Sequence, residues 1–326
     1  MRIGILGAAR IAPPAVVRPA RVLDGVEIAA IASRDRARAE RFARRHGIGT
    51  VHDDYETLLA DDTVDAIYNP LPNGLHGRWT IAALEAGKHV LCEKPFAANA
   101  DEAAEVAAIA ANTDRVVMEA FHYRYHPLAN RLVEIARSGE LGAVTHVEAW
   151  MCAPILPRKD IRWQLALAGG ATMDVGCYPI HLVRSVVGAE PEVVRASARE
   201  RVAGVDRWLQ AELAFDGGAT ARITASMLSR RLVALGAMIR CERGDIRVLN
   251  PFVPQLFHRL TIHGPDGTRR ERFGRTATYV YQLRAFAGAV AHGEPFPTGV
   301  DDAVANMRVI DACYLAAGMA PRQPTI

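Results

Sequence analysis

Lysine is nearly missing from this chain. Of its 39 Lys+Arg residues 36 are arginine, and the lysines are Lys88, Lys94 and Lys159. Long apolar runs are missing too: none reaches 18 residues, which excludes a transmembrane helix. The five cysteines are odd in number and never form a Cys-x-x-Cys pair. A disulfide framework and a zinc ribbon are thereby disfavoured, and free buried thiols in a reducing cytoplasm are expected. Met1 to Gly7 pass straight into a strand pattern, so no secretory leader is expected. A net charge of +3 is too small to imply nucleic acid or an anionic membrane as partner, and no basic stripe with interleaved aromatics occurs. What is present is an ordinary globular composition, 50% hydrophobic and 23% charged over 326 residues. At about 100–200 residues per domain this makes two domains.

The first 120 residues alternate short apolar runs with helical stretches. Strands are expected at Ile3–Leu6, Val26–Ala32, Val64–Tyr68, His89–Cys92 and Val116–Met118, and helices at Pro13–Val22, Asp35–His46, Leu75–Ala86 and Ala100–Ala111. Nearly continuous apolar strands, each followed by a helix, indicate a doubly wound parallel sheet. Beyond Phe121 the rhythm changes. A helix over Leu128–Ser138 and a strand over Ala143–Met151 precede a helical stretch, Thr172–Val187, and then alternating segments at Val193–Val202, Trp208–Phe215 and Ala219–Met227. Period-two patterning around Asp216-Gly217-Gly218 predicts antiparallel strands with one buried face. Helices over Tyr279–His292 and Asp301–Ala317 follow.

Gly7-Ala8-Ala9-Arg10-Ile11-Ala12 falls at the first strand-to-helix turn, where a glycine-rich loop aims helix N–H groups at a pyrophosphate. Its middle glycine is replaced by Ala9. Gly7, Ala9, Arg10 and Ile11 are the candidate contacts. A tight turn in a nucleotide-free α/β fold is the alternative. The second strand ends Ile31-Ala32-Ser33-Arg34, without the carboxylate that would hold the 2′-hydroxyl of NAD. Ser33, Arg34 and, one helical turn on, Arg38 suit a 2′-phosphate instead, which favours NADP(H) over NAD(H). The other arginines of that helix read as a solvated face. Cys92-Glu93-Lys94-Pro95 lies at the carboxyl edge of the sheet, where ligands bind in such folds. Glu93 suits ribose hydroxyls, and the ammonium of Lys94 suits a substrate oxygen.

These motifs, with Asn69-Pro70-Leu71-Pro72-Asn73, His76 and Gly169-Gly170-Ala171-Thr172-Met173-Asp174-Val175-Gly176-Cys177-Tyr178, make the chain resemble the Gfo/Idh/MocA oxidoreductases over nearly its whole length. The stretch Met118 to Pro127 is similar to the branch that holds dimeric dihydrodiol dehydrogenase, NADP-dependent xylose dehydrogenase and glucose–fructose oxidoreductase. The resemblance implies that Pro70, Leu71, Asn73 and His76 line the nicotinamide side, with a helix N-terminal place as the alternative for His76. It also implies an open C-terminal sheet whose exposed face joins a homodimer or homotetramer. Where many members carry His as acid/base this chain has Tyr178. Asp174, Tyr178 and His181 then share one helix face at i, i+4 and i+7.

Phenol is a poor base at neutral pH, and a neighbouring ammonium favours its phenolate. Lys94, Tyr178 and Asp174 are therefore the candidate catalytic residues. His181, Arg162, Trp163 and Tyr123 are the candidate substrate contacts, and His181 is a second candidate for the proton carrier. Structural hydrogen bonds inside the second domain are the alternative for Asp174 and His181, and ordinary domain packing for Tyr123. His122 and His126 have helical metal-pair spacing but no third ligand, so no metal is expected. The fold class expected is α/β: an N-terminal Rossmann doubly wound parallel sheet binding NADP(H), residues 1–120, plus a C-terminal α+β domain with an open, mainly antiparallel sheet, residues 121–326, for substrate binding and oligomerisation. The expected activity is hydride transfer to or from a secondary hydroxyl, ketone or anomeric carbon of a sugar, cyclitol or trans-dihydrodiol-like compound. The alternative is a noncatalytic NADP(H)-binding sensor of the same fold.

Overall fold

A computed structural model describes residues 1–157, 159–229 and 232–325. The chain divides into two compact units. The first is built on a parallel sheet of β1 (Arg2–Leu6), β2 (Glu27–Ala32), β3 (Thr50–His52), β4 (Ala66–Asn69), β5 (His89–Cys92) and β6 (Val117–Glu119), in the order β3-β2-β1-β4-β5-β6. The order reverses between β1 and β4, which opens a crevice at the carboxyl ends of these strands. Their interior residues are buried on both faces, as in Ile3, Ile5, Ile31, Ile67, Val90 and Leu91, and this is why the strands read as unbroken apolar runs. A π-helical turn, Pro13–Val17, runs into α1 (Arg18–Ala20); α2 (Arg36–His46), α3 (Tyr55–Leu59), α4 (His76–Glu85) and α5 (Ala100–Ala110) complete this part. The side chains of Asp35, Asp54 and Asn99 accept from backbone N–H groups at the starts of α2, α3 and α5, each such cap contributing about 1 kcal/mol.

The second unit holds an eight-stranded sheet: β7 (Val144–Cys152), β8 (Glu192–Val202), β9 (Val205–Ala214), β10 (Thr220–Ser226), β11 (Ala234–Cys241), β12 (Gly244–Leu249), β13 (Arg259–Gly264) and β14 (Gly267–Glu271), in the order β14-β13-β12-β11-β7-β10-β9-β8. Every neighbouring pair is antiparallel except β7 with β10. Helices α6 (Pro127–Arg137) and α7 (Cys177–Val187) pack together, with α7 on β7 and β10. The opposite face carries a cross-strand charge ladder in which Glu212 of β9 pairs with Arg195 of β8 at 2.7 Å and with Arg222 of β10 at 3.2 Å.

Two further helices follow, α8 (Thr278–His292) and α9 (Val300–Ala316). Residues Tyr279–Val304 return to the first unit, so a single boundary after residue 120 does not describe the division. The return is fixed at the sheet edge: Glu119 N–H donates to Thr298 O at 2.9 Å, and Thr298 Oγ donates to Glu119 O at 2.8 Å. Lys88 is held inside this unit as well. Its stem is buried, and its ammonium donates to the carbonyls of Asp61 and Val64 at 2.8 Å each.

Candidate active site

The glycine turn stands at the switch point. Gly7 has φ +83°, and its N–H donates to Ala32 O at 2.7 Å, so the turn is clamped against the end of β2. A side chain there would meet Leu71 at 3.2 Å and the Tyr55 hydroxyl at 3.5 Å, besides straining the backbone. Ala9 and Ile11 are half-buried, and Arg10 is exposed. At the end of β2, Ser33 is buried and accepts from Asp35 N–H at 3.4 Å, whereas Arg34 points to solvent. Arg38 reaches back across the loop and donates to Ala8 O at 2.8 Å. Its guanidinium thus braces the glycine turn itself. Tyr55, which no motif marked, is hydrogen-bonded to the Arg34 backbone; burial raises its pKa, and the charges of Arg34 and Arg38 oppose the rise. The nearest carboxylate, Asp35, accepts from Arg38 N–H at the α2 cap.

The Glu-Lys-Pro turn is anchored from within the same unit. Glu93 is buried and accepts the Tyr68 hydroxyl at 2.8 Å, its own N–H donating to Asn69 O at 3.0 Å. Burial, reinforced by the Glu93 charge, holds Tyr68 in the phenol form. Lys94 is half-buried, and the peptide joining it to Pro95 is cis. Pro70 is buried, and Leu71 and Asn73 are half-buried in a loop wound about Asn69, whose amide donates to His76 O and Thr80 Oγ1.

His76, the first residue of α4, has its ring 1% exposed. Nδ1 stands 2.7 Å from Pro95 O and Nε2 2.7 Å from Leu71 O. The ring therefore lies wedged between the Asn-Pro-Leu-Pro-Asn loop and the Glu-Lys-Pro turn, and when neutral it donates to one of the two carbonyls. Burial, with the Lys94 charge adding to it, pushes the His76 pKa down to about 4 against the pull of the two carbonyls. His122, stacked on Tyr279 at 4.2 Å, is pushed down to about 3 by the same two causes.

In the second unit a π-helical turn, Thr172–Gly176, leads directly into α7, and π turns of this kind recur at functional sites. Asp174 pairs with Arg162 Nε at 2.9 Å, and Arg162 also holds Asp160 at 3.1 Å. Asp174 raises the pKa of Arg162 further. Trp163 belongs to the core: it packs with Ala171, Val175 and Val205, donates its Nε1–H to Ile155 O at 3.2 Å and carries the Arg201 guanidinium on its ring. Tyr178 is buried with its ring 5.9 Å from that of Tyr123 and 5.6 Å from that of Phe252. His181 is buried, with Nδ1 2.6 Å from the Tyr123 hydroxyl. Asp174 and His181 thus both make the internal bonds that stood as the alternative for them, and Tyr123 packs in the core. His126 caps α6, its Nδ1 accepting from Leu128 N–H and its Nε2 facing Gly274 O.

A doubly wound sheet with a glycine turn at its switch point, followed by an acid-bearing helix on a second open sheet, is the build of a two-domain dinucleotide-dependent oxidoreductase. The chain belongs to the Gfo/Idh/MocA family: residues 1–121 match the oxidoreductase family with an NAD-binding Rossmann fold, and residues 129–247 match the GFO/IDH/MocA C-terminal domain. It is 41% identical over 322 residues to D-xylose 1-dehydrogenase (NADP(+)) 2 of Haloferax volcanii, covering 97% of each chain. With trans-1,2-dihydrobenzene-1,2-diol dehydrogenase of Sus scrofa it shares 32% identity over 69% of this chain and 67% of that one. The crystal structure of KijD10, a 3-ketoreductase from Actinomadura kijaniata in complex with NADP and TDP-benzene, superposes with a TM-score of 0.88 at 32% identity, covering 96% of both chains.

Proposed function

We propose that this protein is an NADP(H)-dependent oxidoreductase acting on a secondary hydroxyl, ketone or anomeric carbon of a sugar, cyclitol or trans-dihydrodiol-like compound. The observation that carries the cofactor reading is the end of β2, where Ser33 and Arg34 stand in place of a carboxylate and Arg38 braces the turn at Ala8. This arrangement fits a 2′-phosphate, which a strand-end carboxylate would repel. Gly7, Ala9, Arg10 and Ile11 would hold the pyrophosphate, and Glu93 the ribose beside it. Bound NADPH supplies the hydride. The activities named for the relatives, a pentose dehydrogenase, a ketoreductase and a dihydrodiol dehydrogenase, support a polyol-like substrate.

On this reading Tyr178 exchanges the proton with the substrate oxygen, and Lys94 stabilises the negative charge that develops there. The bond from His181 Nδ1 to Tyr123 favours Tyr178 as the proton carrier, because it commits one nitrogen of the rival imidazole. Arg162 holds the Asp174 carboxylate, which orients a substrate hydroxyl. The exposed face of the second sheet, with its Arg195–Glu212–Arg222 ladder, is the surface through which a homodimer or homotetramer forms. No helix among the described residues is long and apolar enough to cross a membrane, and a cytoplasmic enzyme is the reading that five free thiols support. The test is NADPH absorbance against a panel of aldoses, 3-keto sugars, inositols and vicinal diones, with kcat/KM compared for NADP and NAD. Turnover with NADP preferred is expected; tight NADPH binding with no turnover would restore the noncatalytic sensor.

A further inference from the structure

Asp206, at the start of β9, is fully buried and accepts four hydrogen bonds. Thr172 gives two of them to Oδ2, from its N–H at 2.8 Å and its hydroxyl at 2.7 Å. The Tyr314 hydroxyl at 2.9 Å and Arg322 at 2.8 Å share Oδ1. Arg322 lies beyond the last helix, yet it is 2% exposed. Its Nε donates to Gly169 O at 2.7 Å, and its guanidinium lies 4.0 Å above the Tyr314 ring. Three parts of the chain, far apart in sequence, thus meet at the root of the helix that bears Asp174 and Tyr178.

Gly170 of the Gly-Gly motif is explained by this cluster. A Cβ on Gly170, whose φ is +146°, would stand 2.2 Å from Asp206 Oδ1, 2.7 Å from the Tyr314 hydroxyl and 2.9 Å from Arg322. On Gly169 it would strike the carbonyl of Arg162 at 2.5 Å. A buried ion pair is poor value as a source of stability, since apolar residues of similar volume do as well. Its strength is directional: a fully satisfied network admits one geometry. The remainder of α7 is held by apolar packing of Ile180, Val183 and Val186 and by polar ties of its own, His181 to Tyr123 and Arg184 to Glu190, whereas its π-helical entry is the part gripped by Asp206.

We propose that Arg322, acting through Asp206, is a positioning residue of the reaction, setting the placement of the segment that carries Asp174 and Tyr178. The proposal rests on the oxidoreductase reading given above. Loss of the clamp frees the Thr172–Gly176 turn, and a reacting group displaced by about 1 Å loses much of its rate. The full chain with Arg322→Ala is compared with the unsubstituted chain by amide hydrogen exchange and by steady-state kinetics on whichever polyol the latter turns over. Exchange faster by about tenfold is expected over residues 170–176, where the Thr172 amide reports the bond directly, with 180–187 unchanged. A fall of about tenfold in kcat is expected with NADPH affinity unchanged, millimolar guanidinium restoring part of it. Arg322→Lys should recover part of the rate, and Tyr314→Phe, which removes one bond, serves if Arg322→Ala does not fold. Exchange loosened across the whole second unit, or faster exchange at 170–176 with kcat unaltered, overturns the proposal. Absence of turnover by the unsubstituted chain sinks the oxidoreductase reading itself, and is recognised by not depending on Arg322.

Discussion

The candidate residues of the two units are fastened by opposite means. In the first unit, Glu93 is held by the neutral phenol of Tyr68, and His76 by two backbone carbonyls, all within 25 residues along the chain. In the second, charged or strongly polar side chains do the work, and apart from the nearby Arg162–Asp174 pair they come from distant segments: Asp206 and Arg322 are 116 residues apart, Tyr123 and His181 58. Local neutral ties set the shape of a turn as the chain forms it. Long-range ionic ties act only once the second sheet is complete, and each depends on a single side chain.

The largest effect expected comes from the proposed chemistry, one residue from each unit. Lys94→Ala and Tyr178→Phe should each lower kcat by about 10²–10⁴-fold, with Tyr178→Phe leaving NADPH affinity intact. Full activity in Tyr178→Phe together with its loss in His181→Ala would transfer the proton to His181. The neutral ties of the first unit should next show themselves as acid sensitivity. Between the ordinary histidine value of 6.5 and the folded value of about 4, the unfolded chain takes up a proton that folded His76 refuses. Stability is therefore fully present above pH 6.5 and falls as pH drops through that window, by about 1.4 kcal/mol per pH unit. His122 acts in the same direction, down to about 3. Urea midpoints measured at pH 7 and pH 5 check this, and His76→Gln should flatten the dependence; an unaltered slope in that variant would show the proton going elsewhere.

A smaller change is expected at the cofactor's phosphate. Arg34→Ala should weaken NADPH binding by about 1.5–3 kcal/mol, the worth of a hydrogen bond to a charged group, and leave NADH binding as it was. Isothermal titration with both cofactors separates the two. The smallest effect is expected on the outer face of the second sheet. Arg195→Ala removes a well-exposed partner of Glu212, and a monomer's melting temperature should hardly move. A change in sedimentation coefficient without a change in melting temperature would instead mark that face as the subunit contact.

The same contrast governs what the sequence discloses. The parallel strands were legible because burial on both faces writes an unbroken apolar run, and His89–Cys92 coincides with β5. Three-residue β3, half-exposed, leaves no such trace. On β11 to β13 one face alternates through Leu235, Ala237, Ile239, Ile246, Val248, Leu260 and Ile262, the period-two trace of strands buried on one side. Edge strand β14, Gly-Thr-Arg-Arg-Glu, has no apolar face to read. Among the candidate site residues the chemistry of each side chain was legible, but not its partner. Trp163 and Tyr123 turn out to be core residues and Arg162 to be bound to Asp174. Asp206, Tyr314 and Arg322 carry no motif, and only the crowding at Gly170 marks where they meet.

The return of Thr298 to the edge of β6 imposes an order on synthesis. A ribosome that has delivered residues 1–122 has made every strand of the first sheet, yet Thr298, whose carbonyl accepts the Glu119 N–H and whose hydroxyl donates to the Glu119 carbonyl in the finished chain, is still to come. Those groups wait while the whole second sheet is translated, and an open strand edge is where chains pair with the wrong neighbour. The sheet whose strands are made first is thus completed at its edge by a segment made after the second sheet.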